Sequence, residues 1–284
     1  MLSAAIAALR CPVCQGPCHL GERPRRAILC SAGHVFDAAK QGYFNLLTGK
    51  GTVFEADTAD MVAARQRFLD AGHYAELAET IATLAAESME GPDAAILDAG
   101  TGTGHYLQSV LQKTPATAVG LDISKFALRR AARLNPQAAN LVWDIWRPLP
   151  LADHSVDVVL VVFSPRNPGE FARVLRPGGT LLVVTPRPGH LLEAAERTGM
   201  LSIQEGKAER LAETLSEHFL PDRSISLDIP LTLDPGQLVD LAYMGPAGHH
   251  LDAQQLERVA GGGESVHTTG KFLVSLFRSR EIPS

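Results

Sequence analysis

One stretch constrains the fold more than any other: Ala94-Ala95-Ile96-Leu97-Asp98-Ala99-Gly100-Thr101-Gly102-Thr103-Gly104-His105. The apolar run ending at Asp98 reads as a buried strand that delivers a carboxylate to its carboxyl end. Glycines at three alternate positions then let the backbone turn sharply and leave room for a ligand, because a side chain at a positive-φ turn position would clash. The result is a nucleotide-sized pocket at a strand-to-helix turn. A dinucleotide fingerprint needs G-x-G-x-x-G, but the sixth place from Gly100 is His105 and from Gly102 is Leu107, which argues against NAD.

The D-x-G-x-G-x-G form resembles the first motif of class I S-adenosylmethionine-dependent methyltransferases. Thr117 to Asp122 reads as a second strand ending in a carboxylate, with Tyr106 to Lys113 the crossing helix between. A strand-end acid about 20 residues on is the expected partner for ribose hydroxyls in a doubly wound sheet, so Asp122 is the candidate ribose ligand. The resemblance implies an α/β fold with a Rossmann-like seven-stranded sheet, and it makes Asp98, Gly100, Gly102 and Gly104 cofactor-binding candidates.

All four cysteines fall between Cys11 and Cys30. In a cytosolic protein such clustering favours metal over disulfides. Cys11-Pro12-Val13-Cys14 and Cys30-Ser31-Ala32-Gly33-His34 supply two close ligand pairs, suited to one tetrahedral Zn²⁺ per chain with no position open for catalysis. Cys18 and His19, beside Pro17, are given no metal role. Residues 1–50 form this zinc ribbon and 51–284 the methyltransferase domain, joined by amphipathic helices within 58–89. Six Lys/Arg against Glu22 and Asp37 give the first fifty residues +4 and leave −9 for the rest, so Arg23, Arg25 and Arg26 are candidate phosphate contacts. Tyr43 and Phe44 suit either nucleobases or the ribbon's core. No apolar run reaches the roughly 20 residues of a membrane span, and residues 1–10 are too short for a secretory signal. A soluble, cytoplasmic protein is expected.

Beyond Asp122, Asn140 to Ile145 is the third strand, whose end would offer Asp144 to an adenine amino group with Trp143 or Ile145 beside the ring. Val156 to Phe163 is nearly continuous apolar sequence, a central strand covered on both faces. It runs into Ser164-Pro165-Arg166-Asn167-Pro168, at the edge where a methyl acceptor must sit, so Arg166 and Asn167 are substrate-contact candidates. Pro177-Gly178-Gly179 reads as a turn before a fifth strand, Thr180 to Thr185. Strands at Ser224 to Leu233 and Thr268 to Phe277, with a helix between, fit an antiparallel closure of the sheet edge.

Cys-Pro-x-Cys, the Cys-x-x-x-His before Phe36-Asp37, Gln41-Gly42-Tyr43-Phe44-Asn45-Leu46-Leu47, Phe68-Leu69-Asp70-Ala71-Gly72-His73-Tyr74 and the Asp98 loop together resemble the bacterial 23S rRNA guanine-N(1)-methyltransferases. Asp122-Ile123-Ser124-Lys125, Phe163 to Pro168 and Arg176 to Pro186 resemble the tylosin-resistance branch. The resemblance implies S-adenosylmethionine as cofactor, with contacts at Tyr74, Gly102, Thr103 and His190. It implies zinc at Cys11, Cys14, Cys30 and His34, 23S rRNA as substrate and a homodimer. Guanine N(1) carries a proton that must leave, and Ser164 to Pro168 contains no Asp or Glu to take it, so the base is unidentified. Two alternatives stand beside this reading: a small-molecule methyltransferase, and an RNA-binding protein that holds the cofactor fold without turnover.

Overall fold

The computed structural model describes residues 1–21, 26–49, 51–89, 91–199, 207–245, 248, 259 and 261–280. In the amino-terminal module, α1 (Leu2–Ala7) precedes an antiparallel sheet of β1 (Cys18–Gly21), β2 (Ala27–Cys30) and β3 (Val35–Asp37). Then come β4 (Phe44–Asn45), α2 (Ala59–Asp70) and α3 (Ala75–Glu87). Strands and helices alternate from there: β5 (Ala95–Ala99), α4 (His105–Lys113), β6 (Thr117–Asp122), α5 (Lys125–Leu134), β7 (Ala139–Val142), β8 (Val156–Val162), α6 (Pro168–Val174) and β9 (Leu175–Pro186). The remainder is α7 (Leu192–Thr198), α8 (Lys207–Leu215), β10 (Phe219–Leu233), α9 (Pro235–Met244) and β11 (Val266–Ser279).

The large sheet has the order β10-β11-β9-β8-β5-β6-β7-β4. Its β9-β8-β5-β6-β7 portion is parallel, with α4, α5 and α6 as crossover helices and a loop joining β7 to β8. β11 inserts antiparallel between β9 and β10, the edge closure that the late strands suggested. Seven of these strands are the expected Rossmann-like set. The eighth corrects the count: β4 pairs parallel with β7 through Phe44↔Leu141 and Asn45↔Val142. Two residues carry no readable alternation, and only the bonding edge of β7 makes them a strand.

Successive side chains of β5 enter different cores, as a pleated strand requires. Ala95, Leu97 and Ala99 join Ile6, Leu9, Ile28 and Phe44, so the metal module packs into the same core as one face of the sheet. Ala94 and Ile96 meet Phe68, Tyr74, Leu77 and Ile81 on the other face. Packing therefore crosses the boundary expected near residue 50, and the amphipathic helices at 58–89 pack on that second face of the sheet. Thr58 caps α2 by accepting from the Met61 amide at 3.3 Å, and Ser124 caps α5 by accepting from the Ala127 amide at 3.3 Å.

Three local expectations change. Phe44 is fully buried and Tyr43 nearly so, which resolves both in favour of core packing. Residues Pro177 to Gly179 do not break the chain but form a bulge within β9, where pairing with β8 jumps from Val156↔Leu175 to Val158↔Thr180. The third strand stops at Val142, so Asp144 lies in the loop beyond it.

Candidate functional site

The metal ligands converge without any need for the rest of the chain. The ligand atoms of Cys11, Cys14, Cys30 and His34 lie within 4.8 Å of one another. Cys14 and Cys30 sulfurs are 3.7 Å apart, and His34 Nδ1 is 3.3 Å from Cys30 Sγ and 3.6 Å from Cys11 Sγ. Zinc–sulfur bonds of roughly 2.3 Å in a tetrahedron place sulfurs about 3.8 Å apart, so the donor set fits Zn²⁺. Burial opposes ionisation of Cys30, but the His34 amide and ring, the Ala32 amide and Cys14 outweigh it and bring the thiol down to about 6. Cys18 stands outside this group: it is paired across the ribbon with Cys30 and its thiol is pushed up to about 12, chiefly by burial.

The glycine loop forms a second centre at the carboxyl ends of β5 and β6. Gly100, Gly102 and Gly104 all take positive φ, at +92°, +54° and +81°. A Cβ on Gly100 would lie 2.1 Å from Ser164 Oγ, and one on Gly104 would lie 2.6 Å from Asn135 Nδ2 and 3.0 Å from Ala131 Cα, so both positions are closed by neighbours. Gly102 differs, because the nearest atom to its Cβ position is Arg65 Nη1 at 3.7 Å. Gly102 is itself buried, and what lies over it is the tip of the Arg65 side chain rather than backbone or packed core. Asp122 holds this turn: its Oδ2 accepts from the Gly102 amide and its Oδ1 from the Ser124 amide, each at 2.8 Å. Asp98 is buried with Oδ2 unpaired, and burial, aided by the charge of Asp122, lifts its carboxyl to about 7. An orphaned buried oxygen beside a glycine turn covered only by an arginine tip and a strand-end carboxylate suits a nucleoside-bearing cofactor such as S-adenosylmethionine. Thr103 is buried in the same turn.

Side chains from distant segments close the mouth. Tyr74 is buried edge-on to Phe272 of β11, with centroids 5.0 Å apart, and the His190 ring meets Phe272 at 4.8 Å. His190 Nδ1 accepts from the Lys271 amide at 3.0 Å, and burial lowers the imidazole to about 4, leaving it neutral at neutral pH. Arg65, on α2, pairs with Asp57 at 2.5 Å and donates to the Met244 carbonyl at 2.7 Å, so it lies across the Gly102 turn. Sequence reasoning missed Arg65 and Phe272. Both lie in segments whose periodicity marks only a helix or a strand, and nothing in spacing brings them to residue 102 or 74.

Asp144 is placed beside the same edge, with Oδ2 accepting from Thr52 Oγ1 at 2.7 Å and Oδ1 from the Trp146 amide at 3.0 Å. Trp143 is buried in the core on the metal-module side. On the acceptor side the loop after β8 splits the two sequence candidates. Asn167 Nδ2 donates to the Ile145 carbonyl at 2.9 Å, bracing one loop against the other, and its Oδ1 takes no part in that bond. Arg166 is half-buried, which lowers its pKa, and no hydrogen bond or ion pair engages it among the described residues. Phe163, just before them, holds φ +53° and stays 46% exposed. Arg26 is exposed at the start of β2, whereas Arg23 and Arg25 lie outside the described residues. No helix among the described residues is long and apolar enough to cross a membrane.

Comparison with known proteins matches residues 96–179 to a family described as methyltransferase domain and residues 9–49 to one described as RlmA, N-terminal. The chain is 46% identical over 288 residues to a protein of Micromonospora griseorubida that carries the name "Putative 23S rRNA (guanine-N(1)-)-methyltransferase", a match covering 95% of this chain and 97% of that one. It is 47% identical over 253 residues to the 23S rRNA (guanine(748)-N(1))-methyltransferase of Streptomyces fradiae, covering 88% and 89%. Among solved structures, a methyltransferase complexed with the Haloferax volcanii Trm112 methyltransferase activator superposes with a TM-score of 0.52 at 19% identity, covering 80% of this chain and 100% of that one; this likeness concerns the fold alone.

Proposed function

The chain belongs to the family of 23S rRNA (guanine-N(1)-)-methyltransferases, and from that premise we propose that it methylates N(1) of a guanine in a hairpin loop of 23S rRNA near the peptide exit tunnel. The observation that carries this reading is the near full-length similarity to two such enzymes, spanning the Cys₃His module and the glycine loop alike. The guanine is proposed to correspond to the one numbered 748 in the name of the S. fradiae relative, with its methylation contributing to macrolide (tylosin) resistance. Such a substrate puts the enzyme in the cytoplasm, and the family resemblance supports a homodimer.

S-adenosylmethionine, when bound, supplies a methyl group activated by its sulfonium. The chain's part is to bind and align, and alignment of bound reactants is worth several kcal/mol of barrier. In this reading Asp122 turns its remaining lone pairs to the ribose hydroxyls while its two backbone bonds keep the Gly102 turn in shape. Gly100 and Gly104 hold that turn against Ser164 and Asn135, and Asp98 and Thr103 line its floor. Asp144 serves the adenine side, and Tyr74 and His190 close the other end against Phe272. Arg166 is the cation left for a phosphate or the guanine edge. Residues 164–168 hold no carboxylate, so alignment of N(1) is the contribution this loop makes visible. Cys11, Cys14, Cys30 and His34 would hold one structural Zn²⁺, and the charges of Arg23, Arg25 and Arg26 are the proposed partners of RNA phosphates.

Purified zinc-loaded enzyme given labelled S-adenosylmethionine should label a transcript of the 23S hairpin, and digestion should return the label as N(1)-methylguanosine. Label recovered in small molecules and absent from RNA would favour the small-molecule alternative. Cofactor and RNA binding with no transfer would favour the inactive binder.

A further inference from the structure

Between the metal module and the cofactor loop, Thr48 and residues 51–54 are fastened to the sheet edge by side chains. Thr52 Oγ1 donates to Asp144 at 2.7 Å, and its oxygen accepts from the Phe54 amide at 3.2 Å. Arg147 donates to the carbonyls of Thr48 and Gly51. Gly49 and Gly51, at φ +71° and +73° with nothing within 4 Å of a Cβ position, give this segment its turns. Such anchoring normally accompanies burial of the apolar residues it carries, but here it does not. Val53 is 95% exposed, Phe54 47%, and Phe54 faces Trp146, itself 51% exposed, with centroids 6.3 Å apart. Two aromatic rings are thus held in a fixed relation at the carboxyl edge of the sheet with about half of their surface in water.

Their position indicates the occupant. Trp146 lies two residues beyond Asp144, and Asn167 ties the neighbouring Ile145 carbonyl to the acceptor loop that carries the unpaired Arg166. The exposed rings and the cation thus stand on two loops tied to one another, and aromatic faces with a cation are the combination that binds an unstacked base and its phosphate. We propose that Trp146 and Phe54 form a stacking platform for a second nucleobase of the RNA loop, one flanking the target guanine, with Arg166 neutralising phosphate beside it. This rests on the RNA-methyltransferase reading above and adds a subsite to it. The platform holds the loop open and fixes which base reaches the acceptor site.

The two tryptophans supply the readout, since Trp143 is 6% exposed and Trp146 is not. Titrating the zinc-loaded enzyme with the 23S hairpin transcript should quench tryptophan fluorescence. Trp146→Phe should keep RNA affinity and lose the quenching, and Trp146→Ala should weaken RNA binding by about tenfold or more while S-adenosylhomocysteine affinity stays put. Phe54→Ala should weaken RNA binding less. Wild-type RNA affinity in Trp146→Ala, or quenching that persists in Trp146→Phe, would overturn the platform while methylation of the hairpin still upheld the enzyme assignment. Quenching by S-adenosylhomocysteine alone would give the face to the cofactor's adenine and overturn it too. If Trp146→Ala turns a dimer into monomers with RNA affinity intact, the face is an interface between copies and the proposal fails. A wild-type enzyme that neither binds nor methylates the hairpin would remove the enzyme assignment and the platform with it.

Discussion

The two centres of this molecule are built in opposite ways. The metal cluster draws all four ligands from residues 11–34, and every one is a side chain whose chemistry alone names its partner. The cofactor centre is made mostly of backbone, at Gly100, Gly102 and Gly104, and its supports come from Thr52, Arg65, Tyr74, Asn135, Ser164, His190 and Phe272, which span most of the chain. A site of the first kind should fail as a unit. One of the second kind should fail by degrees, each support contributing its own share.

The largest effect that could break this contrast is loss of metal. Zinc modules of this size gain roughly 10 to 16 kcal/mol of apparent binding energy from the ion. Because Ile6, Leu9, Ile28 and Phe44 share a core with Leu97 and Val159, chelation should unfold the module and lower the melting temperature of the whole chain. Thermal unfolding with and without chelator checks this, together with metal analysis of Cys30→Ser. Retention of full zinc and an unchanged melting temperature in that variant would dissolve the distinction.

Within the glycine loop the graded behaviour can be read one residue at a time. Gly100→Ala places a Cβ 2.1 Å from Ser164 Oγ at a positive φ, and strain plus overpacking should cost about 2 to 5 kcal/mol of stability. Gly102→Ala meets only Arg65 at 3.7 Å, so stability should fall by roughly 1 to 2 kcal/mol from backbone strain alone. Its main effect should be on cofactor binding, since a methyl then occupies the space between the turn and the Arg65 tip. Denaturant unfolding and calorimetry on the pair would separate the two roles; equal losses of stability would refute it.

Asp98 gives the same centre a pH signature. Its carboxyl is raised from 3.8 to about 7 by burial, so the folded state binds the proton more readily than the unfolded chain between those values. Its burden on stability is therefore absent below about pH 4, grows as pH rises, and is complete above pH 7. At about 1.4 kcal/mol per unit the ceiling is near 4 kcal/mol, and Asp98→Asn should stabilise the cofactor-free protein at pH 8 more than at pH 5 while weakening cofactor binding. His190 works in the opposite sense, being lowered from 6.5 to about 4, and should cost stability as pH falls through that window. Melting curves from pH 5 to 8 on Asp98→Asn and wild type test the sign.

The smallest effect is expected from the positive charges of the amino-terminal module. Reversing Arg23, Arg25 and Arg26 to Glu should leave melting temperature and cofactor affinity alone but weaken RNA binding and flatten its salt dependence by up to about one unit of log–log slope per lost phosphate contact. An unchanged slope would detach the positive module from RNA.

The same contrast explains what the sequence disclosed. Paired Cys and His spacing specifies a metal site because the ligands are neighbours, and strand-end acids such as Asp98 and Asp122 are visible because an apolar run leads to each. Arg65 crossing Gly102, or Phe272 meeting both Tyr74 and His190, depends on strand order and helix placement that no local pattern records. Asn167 reads as a substrate candidate because its loop is in the right place, and its Nδ2 also braces Ile145. Tyr43 and Phe44 suited RNA and core alike and are core, whereas Phe54 and Trp146, which no periodicity marks, are among the aromatics left in water. Even the strand count turned on β4, two residues that only the edge of β7 organises.

The measurement that bears most directly on the central claim is mass spectrometric mapping of 23S rRNA from cells with and without the gene. The account predicts N(1)-methylguanosine at one guanine of the exit-tunnel hairpin loop when the gene is present, its loss when the gene is deleted, and its return with the wild-type gene but not with Gly102→Val. Identical methylation of every guanine in that loop in all four strains would contradict it.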